Sequence, residues 1–302
     1  MMTTKVFQRV SAIFLVVAAI FLANCVAYAY MDDYYKSEVT KYTLAIQNNP
    51  NDYDAYIQRT RAYEMIEQYE KASQDLKKAI QIDPKNYKAY EELAELYCEN
   101  KGFQKFDLAI QYYSKAIQVI DKNDDHLYSL YRDRALVYSA NGQYEKSIAD
   151  YSKCIKHDPD DDAYIQRGLT YMTLAKYNKA FKDFNSAVAY SERAKKKYFD
   201  FLERRGEPKR FPALSESRLA EAYLGRGACY FILGDRKKAV QDYTKSIQSY
   251  NSIQNDMFAQ VFEYKEKLAQ AYYGRGMAYQ ALGENAKAQA DLAKAKQLAS
   301  NG

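Results

Sequence analysis

Few residues of this chain have the types and spacing that catalysis or metal binding needs. The sequence has two histidines, His126 and His157, and both lie in polar segments. Neither has a second histidine or a cysteine at the spacing of zinc ligands. The sequence also contains no glycine-rich phosphate loop and no Ser/His/Asp arrangement. These observations predict that the protein is not an enzyme and that it holds no cofactor.

An acidic run is the best remaining candidate for a cation site. It holds Asp158, Asp160, Asp161 and Asp162. The run is shorter than a calcium-binding loop and lacks the ligand spacing of one. Aspartate is favoured at the start of a helix, where its carboxylate accepts backbone N–H groups. We therefore interpret the run as an acidic turn that caps the helix after it.

Three cysteines, Cys98, Cys154 and Cys229, follow the N-terminal segment. An odd number of cysteines cannot close into a full set of disulfides. Cys154 and Cys229 also stand where small residues are expected to pack. We expect buried free thiols, although an exported protein could form one bridge.

These residues belong to a pattern that recurs along almost the whole chain. Its clearest copy is Tyr223–Tyr250, where Tyr-x-x-Arg-Gly-x-x-Tyr precedes a glycine turn and then Ala-x-x-Asp-Tyr. Self-similarity at a period of about 34 residues is typical of a helical solenoid. The pattern resembles the tetratricopeptide repeat family. That resemblance implies an all-α fold, a right-handed α-solenoid of about six helix–turn–helix repeats.

The repeats divide the chain into predicted segments. Residues 30–52 form half a repeat, which we interpret as a capping helix. Residues 53–190 hold repeats one to four, and residues 220–302 hold repeats five and six with an inserted helical segment. The basic stretch 191–219 separates them. In it, Glu192–Arg205 is expected to extend the preceding helix, and the glycine and prolines after it predict a loop.

The basic stretch has two interpretations. It is either a charged, exposed extension of a helix, or a docking loop that meets anionic lipid or an acidic partner.

One spacing predicts ion pairs inside the repeats. Arginine holds the seventh position of five repeats, and an aspartate follows each arginine sixteen residues later. The predicted pairs are Arg59–Asp75, Arg134–Asp150, Arg167–Asp183, Arg226–Asp242 and Arg275–Asp291. The second repeat has Leu93 and Tyr112 at these places, so it lacks both partners together. This joint loss favours a bidentate pair within each repeat over a row of ligand-binding arginines.

The resemblance implies that the first helix of each repeat lines a concave, partner-binding face. On the second repeat this face would be acidic, with Glu91, Glu92, Glu95 and Glu99. On repeats four to six it would be apolar, with Ile165, Leu169, Met172, Leu224, Phe231, Tyr273 and Met277. A partner segment with Lys or Arg at one end and apolar side chains at the other would fit. Alternatively, solvent covers the acidic face and neighbouring helices cover the apolar residues.

Some members of the family clamp a terminal carboxylate with Lys and Asn at fixed concave positions. The matching places here hold Ile57, Arg61 and Glu92. This departure argues against such a clamp.

The N-terminal residues 1–29 have the layout of a secretory signal. Lys5 and Arg9 precede an apolar run, and Ala27-Tyr28-Ala29 is a small-x-small cleavage pattern. A retained membrane anchor, lipid modification of Cys25 and a buried first helix are the alternatives. With an exported chain, the repeats are expected outside the cytoplasm, periplasmic or held at a membrane.

The net charge of +5 is too small to indicate nucleic-acid binding. We expect a protein or peptide partner, a possible membrane tether, no nucleic acid and no small-molecule substrate. The sequence therefore favours a non-catalytic interaction scaffold outside the cytoplasm. The alternative is a subunit of a cell-envelope complex that binds glycan or another envelope polymer through its many tyrosines.

Overall fold

The structure is a computed structural model of the chain, and it describes residues 30–100, 103–208, 210–254 and 264–300. The regular elements in these ranges are all α-helices. The first, α1, covers residues 30–48. The others are α2 (Tyr53–Met65), α3 (Tyr69–Ile82), α4 (Tyr87–Glu99), α5 (Phe106–Val119), α6 (His126–Ala140), α7 (Tyr144–His157), α8 (Asp161–Thr173), α9 (Tyr177–Arg204), α10 (Ala213–Leu233), α11 (Arg236–Ile253), α12 (Tyr264–Ala281) and α13 (Asn285–Ser300).

Side-chain caps fix where several first helices begin. Asp52 accepts a hydrogen bond from the N–H of Ala55 at 3.0 Å and starts α2. Asp160 accepts from the N–H of Ala163 at 2.6 Å and starts α8, so the interpretation of the acidic run as a cap is confirmed at this residue. Gly234, with φ of 100°, ends α10 in the left-handed conformation that glycine adopts without strain.

The chain forms two compact units, Met1–Asp124 and Asp125–Gly302. In the first unit α2 packs on α3 and α4 on α5; in the second, α6 packs on α7, α8 on α9, α10 on α11 and α12 on α13. Each unit is therefore a stack of helical hairpins. The predicted helical solenoid is confirmed at this level.

Aromatic rings and small residues fill the space between the helices of a unit. Phe184 is fully buried on α9, and alanines such as Ala180 and Ala187 on the same helix are fully buried beside it. Small side chains let helix backbones approach, and one ring then fills the remaining gap. A single hairpin cannot cover its own apolar stripe, so the hairpins stabilise one another.

The basic stretch between repeats four and five is mostly helical. The helix α9 continues to Arg204, as expected for the extension. The predicted loop is wrong after Pro212, because α10 begins at Ala213. On this early turn Leu219 is buried and the buried Glu216 accepts hydrogen bonds from Lys195 of α9. These contacts support a helix that the repeat pattern does not cover.

No helix in the described ranges is long and apolar enough to span a membrane. The predicted signal segment, residues 1–29, lies outside the described residues. Residues 255–263, in the inserted segment before repeat six, also lie outside them.

Candidate partner-binding surfaces

The structure brings each of the five arginines together with its aspartate. In every pair the Nε and Nη2 groups of the arginine donate to the two carboxylate oxygens, over 2.7–3.1 Å. The aspartate side chains are at most 10% exposed. These bidentate pairs join the two helices of a hairpin. The arginines are therefore part of the scaffold and do not line a binding face.

The second repeat holds its two helices together by apolar contacts. Leu93 is fully buried in the place of the arginine. Tyr112 stacks on Tyr97 with ring centroids 5.9 Å apart, and Tyr97 stacks on Phe103 at 5.4 Å. Aromatic packing thus replaces the ion pair in this hairpin.

The acidic face of the first unit contains a polar cavity of about 310 Å³. Its lining is Arg61, Glu64, Glu92, Glu95, Leu96 and Asn100. Arg61 donates to Glu92 at 3.2 Å, so part of the predicted acidic patch is neutralised within the unit. Burial raises the pKa of the Glu92 carboxyl, and Arg61 only partly opposes this. Glu91 is half-buried outside this lining, and the side chain of Glu99 lies outside the described residues.

Ile57, at one place of the carboxylate clamp, is only 7% exposed. A buried isoleucine cannot contact a terminal carboxylate, which agrees with the predicted absence of that clamp.

The groove face of the second unit, defined as the surface of α6, α8, α10 and α12, contains an apolar cavity of about 330 Å³. Six of the seven predicted apolar residues line it: Leu169, Met172, Leu224, Phe231, Tyr273 and Met277. Ala228 lines it too. The structure therefore gathers these side chains from three helices into one site.

Ile165 is the exception, and its assignment to the binding face is wrong. It is fully buried in the cluster that contains Phe184 and Leu219. Leu219 belongs to the early turn of α10 that the repeat pattern does not cover, and this turn contributes to enclosing Ile165. The alternative that neighbouring helices cover the apolar residues holds for this position.

Two glycines that the sequence reasoning missed shape the apolar cavity. A Cβ atom on Gly225 would lie 2.4 Å from the ring of Phe184, and one on Gly274 would lie 2.5 Å from the ring of Tyr243. Both rings line the cavity. Glycine at these two places therefore lets each ring reach the groove face. The sequence does contain a signal that could have indicated these glycines: Gly-Arg-Gly recurs at the same register in repeats five and six.

A charged pair borders the same cavity. The Nζ of Lys267 on α12 lies 2.6 Å from Oε1 of Glu221 on α10. Both residues line the cavity, and both are partly exposed. The site thus has an apolar floor and a polar rim, as protein-binding surfaces commonly do.

A larger cavity of about 660 Å³ in the second unit lies where the extension of α9 meets α10 and α11. Several of its charged and polar side chains pair with one another. Lys195 donates to the buried Glu216 at 2.6 Å, Tyr223 donates to Glu192, and Lys245 donates to the Tyr223 hydroxyl at 3.2 Å. Burial raises the pKa of Tyr223. We interpret these hydrogen bonds as the contacts that hold the extension of α9 against α10 and α11.

Cys154 and Cys229 are buried free thiols in the structure. Burial raises the pKa of Cys154 and of Cys229 to about 12, so neither thiol ionises readily. Across the described part of the chain, no cluster of three or more His, Cys, Asp or Glu residues could hold a metal ion.

Protein-family models described as "Tetratricopeptide repeat" match most of the chain. The matched residues are 53–86, 76–111, 128–161, 162–193, 220–252 and 269–301.

Two curated relatives match about half of the chain. Superkiller complex protein 3 of Homo sapiens is 27% identical over 157 residues, covering 51% of this chain and 9% of the relative. The Hsp70-Hsp90 organizing protein of Triticum aestivum is 30% identical over 126 residues, covering 41% of this chain and 20% of the relative. The chain thus spans a small part of these relatives.

A solved structure matches over nearly the full chain. It is the C-terminal part of a TPR repeat-containing protein from Cytophaga hutchinsonii, with a TM-score of 0.59 and 18% identity, covering 91% of this chain and 96% of that one. At this identity the likeness shows the fold alone.

Proposed function

The chain belongs to the tetratricopeptide repeat family, and we propose that it is a non-catalytic scaffold that binds a protein or peptide on the groove face of its second unit. The apolar cavity on that face carries the proposal. It gathers apolar side chains at a place where solvent reaches them, and Tyr273 is 56% exposed there. Apolar patches of this kind with a polar border typically mark interaction sites.

The relatives support a protein-binding role. The name of the wheat relative describes a protein that organizes Hsp70 and Hsp90. The kind of partner is inferred from the residues of the groove itself. Because the cavity of the second unit is apolar, a partner segment with apolar side chains fits it better than a charged segment does. Two observations support the absence of catalysis: the thiols of Cys154 and Cys229 do not ionise readily, and the buried arginines and aspartates of the repeats pair with one another.

We propose that residues 1–29 export the repeats from the cytoplasm, and that the repeats are bounded as predicted, except that the first helix of repeat five begins at Ala213. The positive charges, apolar run and cleavage pattern of residues 1–29 support this location. Fusing residues 1–29 to a reporter enzyme that is active only outside the cytoplasm tests it. Reporter activity that requires the apolar run is the expected result, and a reporter that stays inactive would contradict export.

A capture experiment with matched charge substitutions tests the binding role. The Met277→Glu variant places a carboxylate in the apolar cavity, and Gln289→Glu places the same charge on an exposed position of α13. After crosslinking in intact cells, we expect wild type and Gln289→Glu to recover the same partners and Met277→Glu to lose them. Equal recovery by all three proteins would show that the cavity is not the binding site.

A further inference from the structure

We propose that the outer face of the α9 extension binds an anionic lipid surface. This face covers residues 190–204, where α9 continues past the end of repeat four. We call it the outer ridge, and its members are Tyr190, Arg193, Lys196, Lys197, Phe201 and Arg204. The outer ridge is separate from the groove face, so this inference does not depend on the proposed function.

The inner side of this stretch is fixed inside the second unit. Ser191 and Leu202 are buried there, and the hydroxyl of Ser191 donates to Asp161 of α8 at 2.7 Å. Because an α-helix has about 3.6 residues per turn, the ridge members project away from these two positions. All of them are exposed, with Tyr190 at 42% and Phe201 at 44%. The inner contacts therefore hold the outer ridge toward solvent.

The preceding second helix is too short to cover the outer ridge. The helices α7 and α9 begin at equivalent tyrosines, Tyr144 and Tyr177. The helix α7 ends at His157, which is equivalent to Tyr190, whereas α9 continues beyond that position. Phe201 therefore lies past the end of α7, and its exposure agrees with this.

Positive charge predominates on the outer ridge. The side chains of Arg193, Lys196 and Lys197 have no ion-pair partner in the described ranges. Arg204 donates from Nε to the backbone oxygen of Asp200 at 3.2 Å. Asp200 supplies the one carboxylate that the helix period places among these four cations. The surface that complements the outer ridge is therefore anionic.

The other acidic side chains of the extension lie on a different side of α9. Glu192 lies toward α11, where its carboxylate is 3.8 Å from Nζ of Lys245. Glu203 follows Glu192 about three helical turns later, on the same side. Tyr190 and Phe201 are also about three turns apart, on the opposite side. The outer ridge thus has cations along its centre, rings on one flank and carboxylates on the other.

The two rings favour a lipid surface over an acidic polypeptide. Aromatic rings lie at the headgroup level of a bilayer, beside Lys and Arg side chains whose stems are buried and whose charges reach the phosphates. Tyr190 and Phe201 are about 16 Å apart along the helix. A flat surface parallel to α9 therefore contacts both rings and the cations between them. An acidic polypeptide would pair with the cations and leave the rings uncovered.

Charge should provide most of the affinity for lipid. Each Lys or Arg near an anionic bilayer strengthens binding about fivefold, and the outer ridge offers only two rings to the bilayer. Binding should therefore require anionic lipid, and it should weaken as added salt screens the charges.

A tryptophan placed in the outer ridge reports contact with lipid directly. The chain contains no tryptophan, so Phe201→Trp introduces a single emitter. The full chain is mixed with vesicles of equal parts phosphatidylcholine and phosphatidylglycerol, whose acyl chains are brominated near the headgroups. We expect blue-shifted, quenched emission with these vesicles and unchanged emission with phosphatidylcholine alone. The reporter is local, so insertion of residues 1–29 does not by itself alter its emission, and Tyr273→Trp on the groove face should stay unquenched.

Matched substitutions test the role of the ridge cations. In the Phe201→Trp background, Arg193→Gln/Lys197→Gln removes two ridge charges, and Lys294→Gln/Lys296→Gln removes two exposed charges from α13. We expect the first pair to weaken affinity for the anionic vesicles about thirtyfold and the second pair to change it less than about twofold. Vesicle titrations measure the affinities, and circular dichroism checks that both variants keep the helical fold.

Three results would overturn this inference. The first is emission from position 201 that does not change with anionic vesicles. The second is an equal change with both kinds of vesicle, because the cations would then play no part. The third is binding of polyglutamate that Arg193→Gln/Lys197→Gln weakens while the anionic vesicles give no quenching, which would assign an acidic polypeptide instead. Each of these results would leave the proposed function of the groove face intact.

Discussion

The second repeat (α4–α5) and the fifth repeat (α10–α11) share one hairpin frame and differ in how they fill it. At the sixth position the second repeat has Glu92, which pairs with Arg61 across a polar cavity. The fifth repeat has Gly225 there, and the ring of Phe184 occupies the space that a side chain would take. The same register position thus contributes to a polar face in one repeat and to an apolar face in the other.

The same two repeats also differ inside the hairpin. The fifth repeat joins its helices by the buried Arg226–Asp242 pair. The second repeat uses Leu93 and Tyr112 at these places, and both sequences form a hairpin. The scaffold therefore tolerates two chemistries without losing its hairpin, whereas substitutions at groove positions change the polarity of the face. This difference separates positions that hold the fold from positions that select a partner.

Breaking the ion pair of the fifth repeat should have the largest effect. Asp242→Ala leaves the guanidinium of Arg226 buried without its carboxylate, and we expect the free energy of unfolding to fall by about 3–5 kcal/mol. The double variant Arg226→Leu/Asp242→Tyr installs the residues of the second repeat and should recover most of the loss. Urea denaturation followed by circular dichroism measures both. A single variant as stable as wild type would contradict the structural role of the pair.

Filling the sixth position of repeat six should have the next largest effect. Gly274→Ala drives a methyl group into the ring of Tyr243, and overpacking of this kind costs about 1–3 kcal/mol. Gln166→Ala, at the same register in repeat four, is the matched control and should change stability by less than about 0.5 kcal/mol. Thermal unfolding of the two variants distinguishes them. Equal stability would mean that the glycine is not required by the ring.

Substitutions on the two faces should affect partner binding unequally. Phe231→Ala removes a ring from the apolar cavity, and we expect partner affinity to fall about tenfold or more. The double variant Glu91→Lys/Glu95→Lys reverses charge on the face of the second repeat and should leave affinity within about twofold. Titration calorimetry with the captured partner measures both. The opposite ranking would move the binding site to the first unit.

The smallest predicted effect is on the pH dependence of the first unit. Burial makes the pKa of Glu92 higher in the folded state than in the unfolded chain. The folded state therefore binds the proton more tightly, and this group lowers stability as the pH rises from the ordinary glutamate value through the raised one. Wild type should lose stability relative to Glu92→Gln over that window. Unfolding midpoints of the two proteins, measured between about pH 4 and about pH 7, check this expectation. If the two curves of midpoint against pH are parallel, burial of Glu92 has no effect on stability.

The hairpins and their ion pairs could be predicted because their signal repeats. Arg59 and Asp75 recur with fixed spacing in four more repeats, and both are lost together in the second. Most residues of the apolar cavity could also be predicted, because they hold the first-helix positions that line the concave face in this family.

The early start of α10 could not be predicted, since Ala213–Leu219 lies outside the repeat. The burial of Ile165 escaped prediction for the same reason, because Leu219 belongs to its cluster. Gly225 and Gly274 could be read in the sequence, but their role could not. That role depends on the rings of Phe184 and Tyr243, which come from the preceding hairpins.

Methyl-resolved NMR tests most directly whether the second unit's apolar cavity binds the partner. Met172 and Met277 line the cavity, whereas Met65 lies in the first unit and is 54% exposed. With isotope-labelled methionine methyl groups, adding the captured partner segment should shift the Met172 and Met277 signals and leave Met65 unchanged. A shift of Met65 with no change at Met172 and Met277 would contradict the account.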